Sequence, residues 1–218
     1  MKRRARGVTL MCVDCLHYAR AAMVMSKCLD ECIFDRAVFL SDRSLRVSGV
    51  ETRVVSRINS KEEYSQFVMK ELVHHFNTPH VLLVQHDGFI LDGLRWCDHF
   101  LAYDYIGATW PGGHPKVGNG GFSLRSRRLH QVLADDPEIV ECHPEDSRIG
   151  RTMRQYLETT YGIKYAPPDV ARLFSHEHDP ERRTTETFGF HAQNYEVPPP
   201  FVRHNGSFRS NVEREINL

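Results

Sequence analysis

The chain has 218 residues and no net charge, because 28 Lys and Arg are offset by 28 Asp and Glu. A protein that coats a polyanion needs a broadly cationic surface, so nucleic acid is not an expected partner. The basic runs Lys2–Arg6 and Arg125-Ser126-Arg127-Arg128 do not change that, since no aromatic platform is interleaved with them. Long apolar runs are missing as well: none approaches the roughly 18 residues of a membrane helix. A soluble chain with no transmembrane segment is expected, leaving open only a peripheral contact between its basic start and an anionic membrane surface. That start resembles a secretion signal, but Asp14, His17 and Arg20 interrupt it and no small-residue cleavage site follows. The Lys-Ser/Thr of a phosphate loop, the spacing of a dinucleotide fingerprint and any internal repeat are also absent. Gly-rich turns are lacking around the cysteines at 12, 15, 28 and 32. Cys12-x-x-Cys15 and Cys28-x-x-x-Cys32 therefore read as free buried thiols rather than a zinc ribbon, with Cys28 and Cys32 on one apolar helix face. Reduced cysteines suit a cytoplasmic location.

What is present is ordinary for a globular chain: 41% hydrophobic and 26% charged residues, at a length that fits one domain with a short appendage. The exception is histidine, at 13 residues. Were all of them exposed, mild acid would turn a neutral protein cationic.

Strand and helix signals alternate in the first half. Val8–Val13, Ala37–Leu40, Thr52–Ile58 and Val81–Val84 read as strands, and Tyr18–Ile33 as a helix. A second helix opens with the Ser60-x-x-Glu63 capping box and carries the stripe Tyr64, Phe67, Val68, Leu72 and Phe76. This pattern predicts an α/β fold: one Rossmann-like, doubly wound domain over 7–196 with a mostly parallel central sheet. Its first half would span about 8–110 and its second about 111–196. Further helices are expected over 126–134 and 145–160, and after Pro167-Pro168 blocks a helix until Asp169. Pro198-Pro199-Pro200 and the polar residues beyond predict an extended tail over 197–218.

In such a sheet ligands bind beyond the carboxyl ends of the strands, which selects Asp14, Asp42, Arg57 and Gln85-His86-Asp87. Asp87 is suited to a hard divalent cation, although Asp87-Gly88 also reads as a plain turn. The glycines of Gly118-Asn119-Gly120-Gly121 allow the backbone to approach a ligand, or else make a tight hairpin. Glu145 and Asp146 open a helix, where acids are favoured by the helix dipole and where one of them near a cleft could act as a general base. His191 could be a ligand or a packed core histidine, Trp110 a sugar platform or a core ring. His176-Glu177-His178-Asp179 reads as a solvated loop.

In this order, Val84-Gln85-His86-Asp87, Tyr103 to Trp110, Val117 to Arg125, Pro144-Glu145-Asp146 and Phe188-Gly189-Phe190-His191 resemble a GT-A-type, nucleotide-sugar-dependent glycosyltransferase. More closely, they resemble a family catalogued as a domain of unknown function and regarded as glycosyltransferase-like. The resemblance covers about 8–196 and makes the first half, about 8–110, a nucleotide-binding half and the second, about 111–196, an acceptor/catalytic half. The activity it implies is that of a hexosyl- or pentosyltransferase taking a nucleotide-sugar donor and a saccharide acceptor, by analogy one of a surface polysaccharide. It implies a metal site for Mn²⁺ or Mg²⁺ at Asp87 and His191. Gln85 stands where the family's motif has its first Asp, which puts strict metal dependence in question. It implies Asp146 as the base, with Glu145 orienting the acceptor and inversion at the anomeric carbon. Asp14 and Asp42 would lie near the base and ribose, with Arg57, Gln85, His86, Gly120 and Gly121 also on the donor and Trp110 and Asn119 on the acceptor. The rivals are a nucleotide- or sugar-binding pseudoenzyme on the same fold, favoured by Gln85, and a metal-dependent hydrolase.

Overall fold

In the computed structural model, which describes residues 2–110, 117–177 and 186–191, the chain folds around a six-stranded sheet. Strand β1 (Arg3–Val13) leads through helix α1 (Tyr18–Glu31) to β2 (Cys32–Ser41) and β3 (Glu51–Val54). Helix α2 (Lys61–Lys70) then returns the chain to β4 (His80–Val84) on the other side of β1. These four strands are parallel, in the order β3-β2-β1-β4. Strand β7 (Phe122–Ser126) adds antiparallel to β4, and β6 (Tyr105–Ile106) closes the far edge. The result is the expected mixed α/β architecture with a mostly parallel sheet. The chain reverses its winding between β1 and β4, so a crevice opens beyond their carboxyl ends, where Asp14 and Gln85-His86-Asp87 emerge.

Alternation along the central strands sorts the core into layers. Leu10 and Cys12 of β1, with Leu82 and Val84 of β4, pack against Ala21, Val24, Met25 and Cys28 of α1. Met11, Val13, Val81 and Leu83 face the opposite way, onto Val68 of α2 and Leu72 and Phe76 beyond it. A third cluster joins Leu129 and Leu133 of α3 (Arg127–Asp135) to Leu157 of α5 (Arg154–Tyr161).

The sequence places most of these elements. The strand expected over Thr52–Ile58 covers Glu51–Val54, and the helix carrying the stripe to Phe76 tightens after Lys70 into a 3-10 turn over Leu72–His75. Three larger differences stand beside these. Strand β1 starts at Arg3 rather than Val8: Arg3, Arg4 and Arg6 are exposed and Ala5 buried, so the basic start is the polar edge of a strand. A register shift between Ala5 and Thr9 is taken up at Gly7, whose φ of +72° a side chain would strain. Helix α1 stops at Glu31 because Cys32 already pairs with Arg3, so Cys32 lies on a strand and not on the helix face it shared in the sequence reading. The expected helix over 145–160 divides into α4 (Glu145–Ser147), a π-helical turn over Arg148–Thr152 and α5. The widening falls at Gly150, which sits against Gly118 and the Trp110 ring.

Ser60 caps α2, its Oγ accepting from the Glu63 amide at 3.1 Å, while the Glu63 carboxylate reaches one residue further back than a capping box has it and accepts from the Asn59 amide at 2.7 Å. All six cysteines are free thiols, five buried and Cys97 exposed. No helix among the described residues is long and apolar enough to cross a membrane. The two expected halves share one sheet, since β7 lies directly beside β4. The expected tail over 197–218 lies outside the described residues.

Candidate active site

A second, three-stranded sheet builds the corner of the crevice that holds Asp87 and His191. Strand β5 (Gly88–Ile90) leaves Asp87 and pairs antiparallel with β9 (Gly189–His191), which pairs in turn with β8 (Ser175–His176) at the end of α6 (Pro168–Phe174). Gly88 stands opposite His191, so this register brings a residue 104 positions further along the chain beside Asp87. Phe188 and Phe190 anchor β9 in the α1-side core with Phe89, Trp96, Phe100 and Phe174. Leu91 and Asp92 both donate to the Phe188 carbonyl.

His191 is clamped between two carboxylates. Its Nδ1 lies 3.0 Å from Glu177 Oε1 and its Nε2 3.3 Å from Asp87 Oδ1. Burial opposes a charge on the ring, but Asp87 and Glu177 outweigh it and push its pKa up to about 9. Burial also works against the Asp87 carboxylate, and His191 holds it below its usual value nonetheless. Nε2 and Oδ1 are in ion-pair contact without hydrogen-bond alignment, and among the described residues neither has a hydrogen-bond partner. Two buried, unsatisfied ligand atoms converge there, while Glu177 holds the opposite ring nitrogen; this is the carboxylate–histidine arrangement that orients metal ligands. Asp87 and His191 therefore fit a divalent cation. Glu177 corrects the reading of residues 176–179 as a solvated loop: it is buried and bonded to His191. Its sequence signal was weak, a lone acid amid His and Asp.

Backbone glycine makes this corner possible. A Cβ on Gly121 would lie 2.0 Å from His191 Nε2. The Gly121 carbonyl accepts from the Gln85 amide, tying the Gly-Gly segment to the end of β4. The Asn119 side chain accepts from the Gly121 amide at 3.1 Å, which fixes the turn.

Opposite lies Pro144-Glu145-Asp146. His143 accepts or donates at 2.9 Å with Ser65 of α2, which pins this segment to that helix. Glu145 is buried and paired at 3.2 Å with the fully buried Arg125. Burial raises the Glu145 pKa, and Arg125 offsets that only in part. Arg125 also donates to the Gly120 carbonyl, so the pair supports the glycine turn from beneath. Asp146 is half-buried on the cavity wall, and its Oδ1 accepts from the Ser147 amide.

A cavity of about 710 Å³ joins these parts. Its wall includes Asp14, Gln85, His86, Asp87, Asn119, Gly121, Glu145, Asp146 and His191. Those expected residues are brought together. Lys61, Tyr64, Ser65 and His143 are on the wall too, and the sequence reading did not single them out. Four expected residues do not line it. Asp42 is held by the Tyr18 hydroxyl at 2.8 Å and by Arg57 at 3.4 Å, so the two form an ion pair beyond β2. Gly120 faces Glu145 and Arg125. Trp110, half-buried, lies on Gly118 and Gly150 with the Arg151 guanidinium 4.0 Å from its ring centroid.

Residues 47–191 match the family described as "Protein of unknown function (DUF5672)". No curated protein matches the chain. Among solved structures, similarity extends to a glycosyltransferase involved in the glycosylation of the major capsid of PBCV-1, with a TM-score of 0.52, 11% identity, and coverage of 95% of this chain and 98% of that one. It extends also to the galactosyltransferase LgtC in complex with donor and acceptor sugar analogs, with a TM-score of 0.51, 13% identity and 96% of each chain covered. An active-site mutant of LgtC gives a TM-score of 0.52 at 12% identity, again over 96% of each chain. At these identities the likeness is one of fold: the chain has the GT-A architecture.

Proposed function

This chain belongs to the DUF5672 family, and on that premise we propose that it is a glycosyltransferase, moving a sugar from a nucleoside diphosphate donor to a hydroxyl of a saccharide acceptor. The observation that carries the reading is the convergence of a cation-binding pair, Asp87 and His191, and a separate carboxylate, Asp146, on one cavity at the switch point of the sheet. A pure binder has no need of a second, solvent-reachable acid facing a cation site.

Asp87 and His191 would hold Mn²⁺ or Mg²⁺, which when bound offsets the charge of the diphosphate leaving group. His191 would give up its Nε2 proton on binding the cation, while Glu177 would hold the other proton on Nδ1, so that Nε2 could present its lone pair. Asp14, Gln85, His86 and Gly121 would contact the donor and Asn119 the acceptor, all five on the wall of the cavity. Asp146 accepts the proton of the acceptor hydroxyl as its oxygen bonds to the anomeric carbon and the diphosphate departs with the electron pair of the broken C–O bond. Glu145 serves this chemistry indirectly. Committed to Arg125, it fixes the Gly-Gly turn and the start of α4, and so positions its neighbour Asp146. In-line attack with a single base carries inversion with it, which the anomeric configuration of the product tests.

Asp146→Asn is expected to lower transfer by about 10²–10⁴-fold, the usual worth of a general base, while leaving nucleotide binding intact. Full transfer in that variant would remove Asp146 from the reaction. Gln85, in place of a second acid, favours a pseudoenzyme. Release of nucleoside diphosphate from a donor panel with manganese separates the two, because a binder releases none.

A further inference from the structure

A second group of ligand-type side chains lies in the same cavity, apart from Asp87 and His191. Asp14 follows β1, His17 stands at the start of α1 and His86 follows β4. Asp14 Oδ1 accepts from the backbone amides of Leu16 and His17, at 2.7 and 2.5 Å. That fixes the carboxylate and leaves Oδ2 to face both rings, 3.4 Å from His86 Nδ1 and 3.7 Å from His17 Nδ1. One ligand atom from each of the three lies within 4.8 Å of the others. Ligands of a tetrahedral ion at about 2.0–2.1 Å are themselves about 3.3–3.4 Å apart, so the two contacts to Oδ2 are already near the spacing that coordination requires.

We propose that Asp14, His17 and His86 form a binding site for a borderline transition-metal ion of the zinc class, distinct from the hard-cation pair at Asp87 and His191. The donor set decides the class of ion. Two imidazole nitrogens and one carboxylate oxygen suit zinc, whereas magnesium takes oxygen ligands and water. Three protein ligands leave a fourth position, which opens into the cavity. The imidazoles are stacked, with centroids 3.9 Å apart and planes 25° from parallel, so both lone pairs meet one ion only after a ring turns. His17 is the ring that turns: its side chain is 46% exposed and makes no capping hydrogen bond to α1. Asp14, by contrast, is 8% exposed and fixed. Asp14 and His17, from the first βα unit, precede the stretch that matches the family, residues 47–191, whereas His86 lies within it.

The test is direct titration of the full chain with zinc chloride followed by calorimetry, with cobalt(II) as a spectroscopic stand-in. The wild type is expected to bind zinc and, with cobalt, to show the intense visible bands of a tetrahedral site. His17→Gln and His86→Gln are each expected to weaken zinc by more than about tenfold and to abolish those bands, because two ligands do not hold the ion. Asp87→Asn is expected to leave zinc affinity within about threefold and the cobalt spectrum unchanged, and excess magnesium not to displace zinc. Unaltered zinc binding in both histidine variants, or its loss in Asp87→Asn, overturns the proposal. His17 is half-exposed, so His17→Gln retains the wild-type melting temperature and a folding defect does not mimic the result. The outcome is independent of whether the protein transfers a sugar, since nothing but the metal is added.

Discussion

At the scale of the residue, histidine is where like side chains have come to differ most. His191 is held charged by two carboxylates, while His130 is the reverse case. It is fully buried beneath Phe76, neither ring nitrogen makes an aligned hydrogen bond, and burial followed by the charge of Arg125 depresses its pKa to about 3. The sign follows from linkage. The unfolded chain takes up a proton near pH 6.5 that the folded chain refuses until about pH 3, so stability is complete above about 6.5 and falls as the pH falls. At pH 5 this one residue costs about 2 kcal/mol. His130→Leu is expected to narrow the gap between unfolding free energies at pH 8 and pH 5 by that amount; an unchanged gap in urea titrations would assign the acid limb elsewhere. Glu177 acts on the opposite kind of histidine. Glu177→Ala is expected to weaken manganese binding by about 10–100-fold, and Glu177→Gln, which keeps an acceptor for Nδ1, to restore part of it. Equal affinity in all three proteins would show that His191 needs no orienting partner.

At the scale of the element, the site depends on a strand too short to announce itself. β9 has three residues, and it works because Gly121 lets the His191 ring lie on the backbone of the Gly-Gly turn. Gly121→Ala puts a methyl group 2.0 Å from His191 Nε2, and the ring cannot swing aside without leaving Asp87 and Glu177. The variant is expected to lose the manganese-dependent rise in melting temperature while β1 to β4 still fold, as far-UV circular dichroism would register. Retention of the manganese effect would mean that His191 is not a ligand. Strand β2 and the divided helix from Glu145 carry the same lesson. Cys28 and Cys32 have perfect helical spacing, yet pairing of Cys32 with Arg3 outweighs the local preference. Residues 145–160 have a helical apolar face, yet packing of Gly150 on Gly118 and Trp110 opens a π turn within it. Local periodicity reports which side of an element is buried. It does not report where a neighbouring backbone ends that element.

At the scale of the whole molecule, the proposed function would have a neutral protein meet an anionic donor through local charge, a cation at Asp87 and His191 and Lys61 at the start of α2. A nucleoside diphosphate at about 100 times its dissociation constant is expected to stabilise the fold by about 2.7 kcal/mol, or about 5–10 °C for a chain of this size. A thermal-shift screen of nucleoside diphosphates with and without manganese reads base preference and cation dependence together; no shift with any of them would undercut the transferase reading. The sequence by itself determined the layered α/β class, the α2 cap, the buried run of β4, and the membership of Asp14, Gln85, His86, Asp87, Asn119, Gly121, Glu145, Asp146 and His191 in one cavity wall. Strand and helix periodicity, together with the rule that ligands bind beyond the carboxyl ends of parallel strands, selects Asp14 and Gln85-His86-Asp87, whereas Asn119, Gly121, Glu145, Asp146 and His191 join them through the resemblance to GT-A-type glycosyltransferases. Only the tertiary structure decided that Glu177 backs His191, that Arg125 pairs with Glu145 beneath the glycine turn, that His17 stacks on His86, that Asp42 pairs with Arg57, and that the Arg151 guanidinium lies on the Trp110 ring. Each of these contacts joins residues distant in sequence or turned by a rotamer choice, and pairing across a fold is set by the summed packing of the layers, which no local pattern encodes.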